Sequence, residues 1–151
     1  FMRAYKVYAI QNGTVIDHIP GGKGTEIIEL LDLHNWEKTV TLGMGFNSKK
    51  LKKKDVVKIE NKELTPDEVN KIAIIAPTAT LNIIRKEKIA KKFKVKLPDE
   101  LSGIIKCPNS ACVTNNDPVS VSRFYKEPGR NLKVRCAYCE RYFTHEEITL
   151  A

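Results

Sequence analysis

Apolar positions along this 151-residue chain recur first at one period and then at another, and the switches mark its elements. Tyr5-Lys-Val-Tyr-Ala-Ile10 alternates and is rich in strand formers, which predicts a first strand. Turn chemistry at Gln11-Asn12-Gly13 leads into an extended Thr14–Pro20. Gly21, Gly22 and Gly24 then loosen the chain before a helix. In it Ile27, Leu30, Leu31 and His34 fall at three-four spacing, and Ile28 widens the stripe. Lys38–Met44 reads as a second strand, Asn47–Lys54 as a polar loop and Asp55–Glu60 as a third strand. Thr65-Pro66-Asp67-Glu68 is a helix start, with a capping threonine, proline in the first turn and a glutamate that closes a capping box. The buried stripe expected there is Val69, Ile72, Ala73 and Ala76, and Pro77 ends it. Thr80–Arg85 is a fourth strand, and Lys88–Val95 turns back as a fifth through Ile89, Phe93 and Val95.

Strand-helix-strand-strand-helix-strand is the split βαβ, ferredoxin-like order, with both helices on one sheet face. Leu97–Gly103 mixes proline, glycine and polar residues between two different compositions, so a domain boundary is expected there. The chain thus reads as α+β: a ferredoxin-like split βαβ sheet with two helices over residues 1–98, then a small β-rich four-cysteine zinc domain over residues 99–151. Short strands are expected in that second domain near Val119–Tyr125, Leu132–Cys136 and Tyr142–Thr144, with Pro128-Gly129 as a turn.

All four cysteines sit in the second domain, as Cys107-Pro-Asn-Ser-Ala-Cys112 and Cys136-Ala-Tyr-Cys139. Each short pair can aim two thiolates at one point, and the long loop returns the chain to supply the other two. This is the spacing of a tetrahedral zinc site, and with all four positions taken by sulfur no place remains for a catalytic water. Two disulfides would require an oxidising compartment, yet no apolar leader is visible, which points to a cytoplasmic protein. A redox pair at Cys136 and Cys139 would leave Cys107 and Cys112 without a role. His145 lies near, and reads as a surface or packing residue. A metal staple suits a segment too short to build much core, because metal binding becomes folding free energy there.

The net charge of +8 raises the possibility of a nucleic-acid-binding zinc ribbon. Residues 107–151 carry only +1 of it, so a zinc module gripping phosphates is disfavoured. The lysines cluster upstream, six within residues 49–58 and six within 86–96, with Phe93 as the one aromatic between them. Stacking platforms for a single strand are therefore absent. The runs fit a solvated charged face, or a few convergent ammonium groups for a compact polyanion. No apolar run is long enough to span a bilayer. The chain has no Gly-x-Ser-x-Gly, P-loop or HExxH motif. Asp17-His18 is a weak acid-base couple, because neighbours on an extended segment point to opposite faces.

Five motifs, in order, carry a resemblance over nearly the whole chain. They are Thr14-Val-Ile-Asp-His-Ile-Pro20, Lys58-Ile-Glu-Asn61, Ala76-Pro-Thr-Ala-Thr-Leu-Asn82, Cys107-Pro-Asn-Ser-Ala-Cys112 and Cys136-Ala-Tyr-Cys-Glu140. Together they resemble the regulatory chain of aspartate carbamoyltransferase. The resemblance implies a non-catalytic subunit of pyrimidine biosynthesis. A nucleotide-binding allosteric domain would bind CTP, ATP and UTP, and a zinc domain would dock on the catalytic chain. The implied assembly is two catalytic trimers bridged by three regulatory homodimers, with no nucleic acid and no membrane involved.

Carried over by position, the resemblance sets the base against the backbone of Val7, Tyr8, Ala9 and Ile10. Asp17 would accept from ribose hydroxyls and Lys58 would hold ribose and base edges. Lys54, Lys92 and His18 would lie near sugar and phosphates, while Val15, Asn82, Ile84 and Ile89 line the pocket. Cys107, Cys112, Cys136 and Cys139 would hold the zinc. On periodicity alone Val7, Val15, Ile84 and Ile89 read equally well as plain core, and Asp17 as a turn-capping residue.

Overall fold

Residues 10–151 are described by a computed structural model of the chain, so the strand expected at Tyr5–Ile10 lies outside the described residues except for Ile10. The chain divides into two units, one ending at Lys96 and the other running from Leu97 to Ala151.

In the first unit the sequence Gly13–Pro20 forms strand β1, followed by helix α1 (Gly24–Leu30), β2 (Val40–Ser48), β3 (Lys52–Glu60), α2 (Pro66–Ile75), β4 (Thr80–Arg85) and β5 (Lys88–Lys94). The strands pair antiparallel in the order β2-β3-β1-β4-β5, which is the split βαβ arrangement with one added edge strand. The central strand is thus the Thr14–Pro20 stretch.

Period-two alternation decides what each face carries. Ile16, Val57, Ile59 and Leu81 are completely buried, along with Ile27 of α1 and Ile72 of α2. Their neighbours Val15, Lys58 and Asn82 are half-buried, which leaves a partly open second face. Helix α1 lies against β2, β3 and α2.

Three expectations fail locally. The lysines of the supposed Asn47–Lys54 loop are largely strand, because Phe46, Asn47 and Ser48 pair with Lys54, Lys53 and Lys52 and ladder hydrogen bonding outweighs lysine's poor strand preference. Helix α1 stops at Leu30 because Asp32 turns left-handed, and a single 3-10 turn follows at Leu33–Asn35. Its buried members are Ile27, Ile28, Leu31 and Leu33, whereas His34 is exposed. In α2 the capping box forms with both of its hydrogen bonds, and Ile74 joins Ile72 and Ala73 in the core while Val69 stays half-buried.

The second unit contains β6 (Glu100–Ser102), β7 (Ile105–Lys106), the four-residue helix α3 (Val113–Asn116), β8 (Arg123–Lys126), β9 (Lys133–Cys136), β10 (Tyr142–Thr144) and β11 (Thr149–Leu150). Strands β6, β8, β9 and β10 form one small sheet and β7 pairs with β11. The expected strand from Val119 begins only at Arg123, and Val119 itself is 84% exposed. The core is small: Leu101, Ile104, Ile105, Phe124, Val134 and Phe143, with Phe124 and Phe143 edge to face at 6.4 Å.

Candidate metal centre and effector face

The four cysteines converge. Their sulfur atoms all lie within 4.8 Å of one another, with Cys107 and Cys139 3.8 Å apart and Cys112 and Cys136 3.7 Å apart. A disulfide would need about 2.05 Å. A tetrahedron of about 2.3 Å zinc–sulfur bonds has an edge of about 3.8 Å, so the four thiols fit a zinc-sized ion. Cys107, Cys112 and Cys136 are buried and Cys139 is half-buried, which shields such an ion from water. Among the described residues no histidine or carboxylate joins the cluster, so His145 stands outside it.

Each pair is held by its own loop. The first is braced by asparagines: the Asn115 side chain donates to the Cys107 and Asn109 carbonyls, both at 2.8 Å, and Asn116 donates to Ser110 and Cys112. The Asn109 side chain accepts from the Ala111 N–H at 3.1 Å. The second pair closes through Glu140 N–H to the Cys136 carbonyl, with Glu140 in a left-handed conformation. Burial opposes ionisation of all four thiols. At Cys139 the Arg141 backbone N–H and the Asn109 side chain outweigh it and bring the thiol down to about 7. Thr114 does the same in direction for Cys112, while burial and the neighbouring sulfurs push Cys107 and Cys136 up. The asparagine brace escaped sequence reasoning, although three asparagines within nine residues of two cysteines were its signal.

In the first unit, strand register gathers the other candidates. Residues paired across antiparallel strands share a face. One row therefore runs Thr41, Lys58, Val15, Asn82, Lys92 across all five strands. A second row holds Asp17, Thr80 and Lys94, and a third holds Gly13, Ile84 and Ile89. All belong to the open face. Ile89 is 60% exposed and Val15 and Ile84 are half-buried, so none of the three is plain core. Ile10 is buried, and Val7, Tyr8 and Ala9 lie outside the described residues.

Lys54 extends to the same face and pairs with Asp17 at 3.0 Å. Burial alone would raise the Asp17 carboxyl, but the Lys54 ammonium and the His18 backbone N–H outweigh it and hold it below the usual range. Asp17 and His18 do not point to opposite faces as a regular strand requires. A bulge with His18 at φ 57° breaks the alternation, and the imidazole Nδ1 lies 2.9 Å from Thr80 Oγ1, on Asp17's partner. Sequence reasoning missed Thr41, Thr80 and Lys94. Counting by twos from Lys92 would have found Lys94, whereas the two threonines carried no signal apart from register.

This chain is similar throughout to known proteins. Residues 5–96 match the family model described as aspartate carbamoyltransferase regulatory chain, allosteric domain. Residues 99–149 match the model described as aspartate carbamoyltransferase regulatory chain, metal binding domain. Proteins named aspartate carbamoyltransferase regulatory chain from Pyrococcus horikoshii and Thermococcus onnurineus are 52% and 53% identical over 149 and 148 residues, 97% of each chain. One of that name from Methanothermobacter thermautotrophicus is 47% identical over 143 residues, covering 95% of this chain and 92% of its own. With an allosteric domain followed by a metal-binding domain built on four converging cysteines, this chain belongs to the family of aspartate carbamoyltransferase regulatory chains, the regulatory and not the catalytic partner.

Proposed function

We propose that the open sheet face binds nucleoside triphosphates such as CTP, ATP and UTP, and that their binding biases the quaternary equilibrium of attached catalytic chains. The observation that carries this reading is the register that sets Lys58, Val15, Asn82 and Lys92 side by side in one row. At about 4.8 Å per strand, that row offers a cation at each end and an apolar and an amide group between. A half-buried apolar side chain suits a base, and Asp17 suits ribose hydroxyls. Lys54, Lys92 and Lys94 suit phosphates, because clustered ammonium groups make charge-assisted hydrogen bonds to their oxygens, and the His18 imidazole lies beside them. An effector works in this way only if it favours one quaternary state, and typical couplings are about 1–3 kcal/mol.

Zinc is the ion we assign to Cys107, Cys112, Cys136 and Cys139, on the match between sulfur spacing and zinc–sulfur bond length. When bound it supplies no chemistry beyond holding four thiolates. Those thiolates fix the two loops that would meet the catalytic chain. A homodimer fits the same reading through the β2 edge. The other edge, β5, carries Lys88, Lys91, Lys92 and Lys94 and repels strand addition, whereas β2 has no charged residue.

The test uses the metal-loaded chain. Calorimetry should show CTP and ATP uptake that Lys58→Ala weakens at least tenfold. A thiol-reactive mercurial should release a co-purified catalytic chain while the freed regulatory chain still takes up nucleotide. Absence of both nucleotide uptake and catalytic-chain capture would overturn the proposal.

A further inference from the structure

Strand β3 is flanked at one level by two bulges. On one side the register steps from Ile16↔Val57 to Ile19↔Asp55, an extra residue in β1. On the other it steps from Gly43↔Val56 to Phe46↔Lys54, an extra residue in β2. A bulge leaves its extra residue out of the ladder. In β1 the His18 N–H turns to Asp17 Oδ1 at 2.6 Å, and in β2 the Gly45 N–H donates to Asp55 Oδ1 at 3.0 Å. The other Asp55 carboxylate oxygen accepts from Gly22 N–H at 3.0 Å and Gly24 N–H at 2.9 Å, in the loop that opens α1. Asp55 is 0% exposed, and it and Thr14 are the buried polar residues among those described.

Burying a carboxylate costs several kcal/mol unless its oxygens are satisfied, so this group needs all three donors. The fit is tight. A Cβ at Gly24 would come within 2.9 Å of Asp55 Oδ2 and 2.7 Å of Leu42 Cδ1. Gly45 has φ +75°, a conformation that penalises any other residue.

The consequence appears on the opposite face. Because strand residues alternate, Lys54, next to Asp55, emerges on the open face, where its ammonium meets Asp17. The β1 bulge beside Asp55 is the one that turns His18 toward Thr80. Bulges often serve to re-aim a side chain next to a site.

We infer that Asp55 is a positioning residue for the open-face site: by tying the β2 bulge to the loop that opens α1 it sets the direction from which Lys54, and through it Asp17, addresses a ligand. The inference rests on the reading of that face as the effector site, so its test has one arm that needs no nucleotide. In the metal-loaded full chain, Asp55→Asn replaces one acceptor with a donor and should raise hydrogen exchange at Gly22, Gly24 and Gly45 at least tenfold. The Asp17 carboxyl, followed by carbon NMR, should then titrate at higher pH than in the parent chain because Lys54 is no longer held against it. CTP affinity should fall about tenfold, and this loss should shrink to under twofold in a Lys54→Met background.

Opened glycine amides with an unmoved Asp17 titration would overturn the inference. So would an equal loss of CTP affinity in the Lys54→Met background, because general loosening of the fold acts regardless of Lys54. If Asp17 moves but the parent chain takes up no nucleotide, the effector reading fails and the positioning role stands. Should Asp55→Asn not fold, Gly45→Ala strains only the β2 bulge and should move Asp17 in the same direction by less. An unmoved Asp17 there also counts against the inference.

Discussion

The two units of this chain solve the same problem with different means. The first closes a core of isoleucine, valine and leucine between a five-stranded sheet and two helices, and its polar face is free to carry a site. The second has six main apolar core residues, strands of two to four residues and a helix of four. A core of that size supplies little net stability. Three of its four cysteines are buried where a larger domain would put leucines. A domain that folds on apolar burial alone can dedicate its cations to a ligand, whereas one that folds around an ion has its chemistry committed to structure.

Metal removal is the strongest way to break that comparison. Structural zinc binding in small domains is worth about 10–16 kcal/mol at neutral pH. Cys136→Ser, or a strong chelator, should abolish exchange protection across residues 97–151 and leave that of β1, β3 and β4 intact. Loss of protection in both units at once would show that the first needs the second. Acid should imitate the chelator, because protons compete with the metal for thiolates.

Equal truncations sharpen the contrast further. Leu81 and Leu101 are both completely buried. Leucine-to-alanine changes in cores cost about 2–5 kcal/mol. Leu81→Ala should lower the denaturation midpoint of the first unit with or without metal. Leu101→Ala should leave the second unit folded while the metal is bound, and instead weaken metal retention under chelator competition. If Leu101→Ala left metal affinity unchanged, folding and metal binding would not be coupled there.

How much of this was legible in the sequence follows the same division. Local patterns found β2 to β5 in outline and α2 by its capping box, while the strand expected at Tyr5–Ile10 lies outside the described residues except for Ile10. The side on which each candidate falls depends on register, and register depends on two bulges that no local pattern announces. Glycines at 43, 45, 22 and 24 hinted at irregular backbone without saying that Asp55 would bind it together. In the second unit the cysteine spacing was decisive, but β6, β7 and β11 are too short to leave a period. The lysines misled for a physical reason: Lys52–Lys54 look like a loop until the chain they pair with is known.

The mildest test concerns acid acting on the first unit alone. The Asp17 carboxyl is held below its ordinary value of 3.8 by Lys54 and the His18 N–H, despite burial. A group whose folded value is depressed stabilises the fold above its unfolded value, and that contribution fades as pH falls through the folded one. The Lys54–Asp17 pair should therefore be intact at pH 5 and above, and disappear progressively below about pH 4. Their side chains remain 21% and 26% exposed, so water screens the pair and its loss should cost under about 1 kcal/mol. Asp17→Asn should remove this acid-dependent increment, lowering the stability of the first unit by up to that amount at pH 7 and converging with the parent chain below pH 4. A parent and variant that track each other through acid would mean Lys54 is not held by Asp17 in solution, and the open face would then be less preorganised than its register suggests.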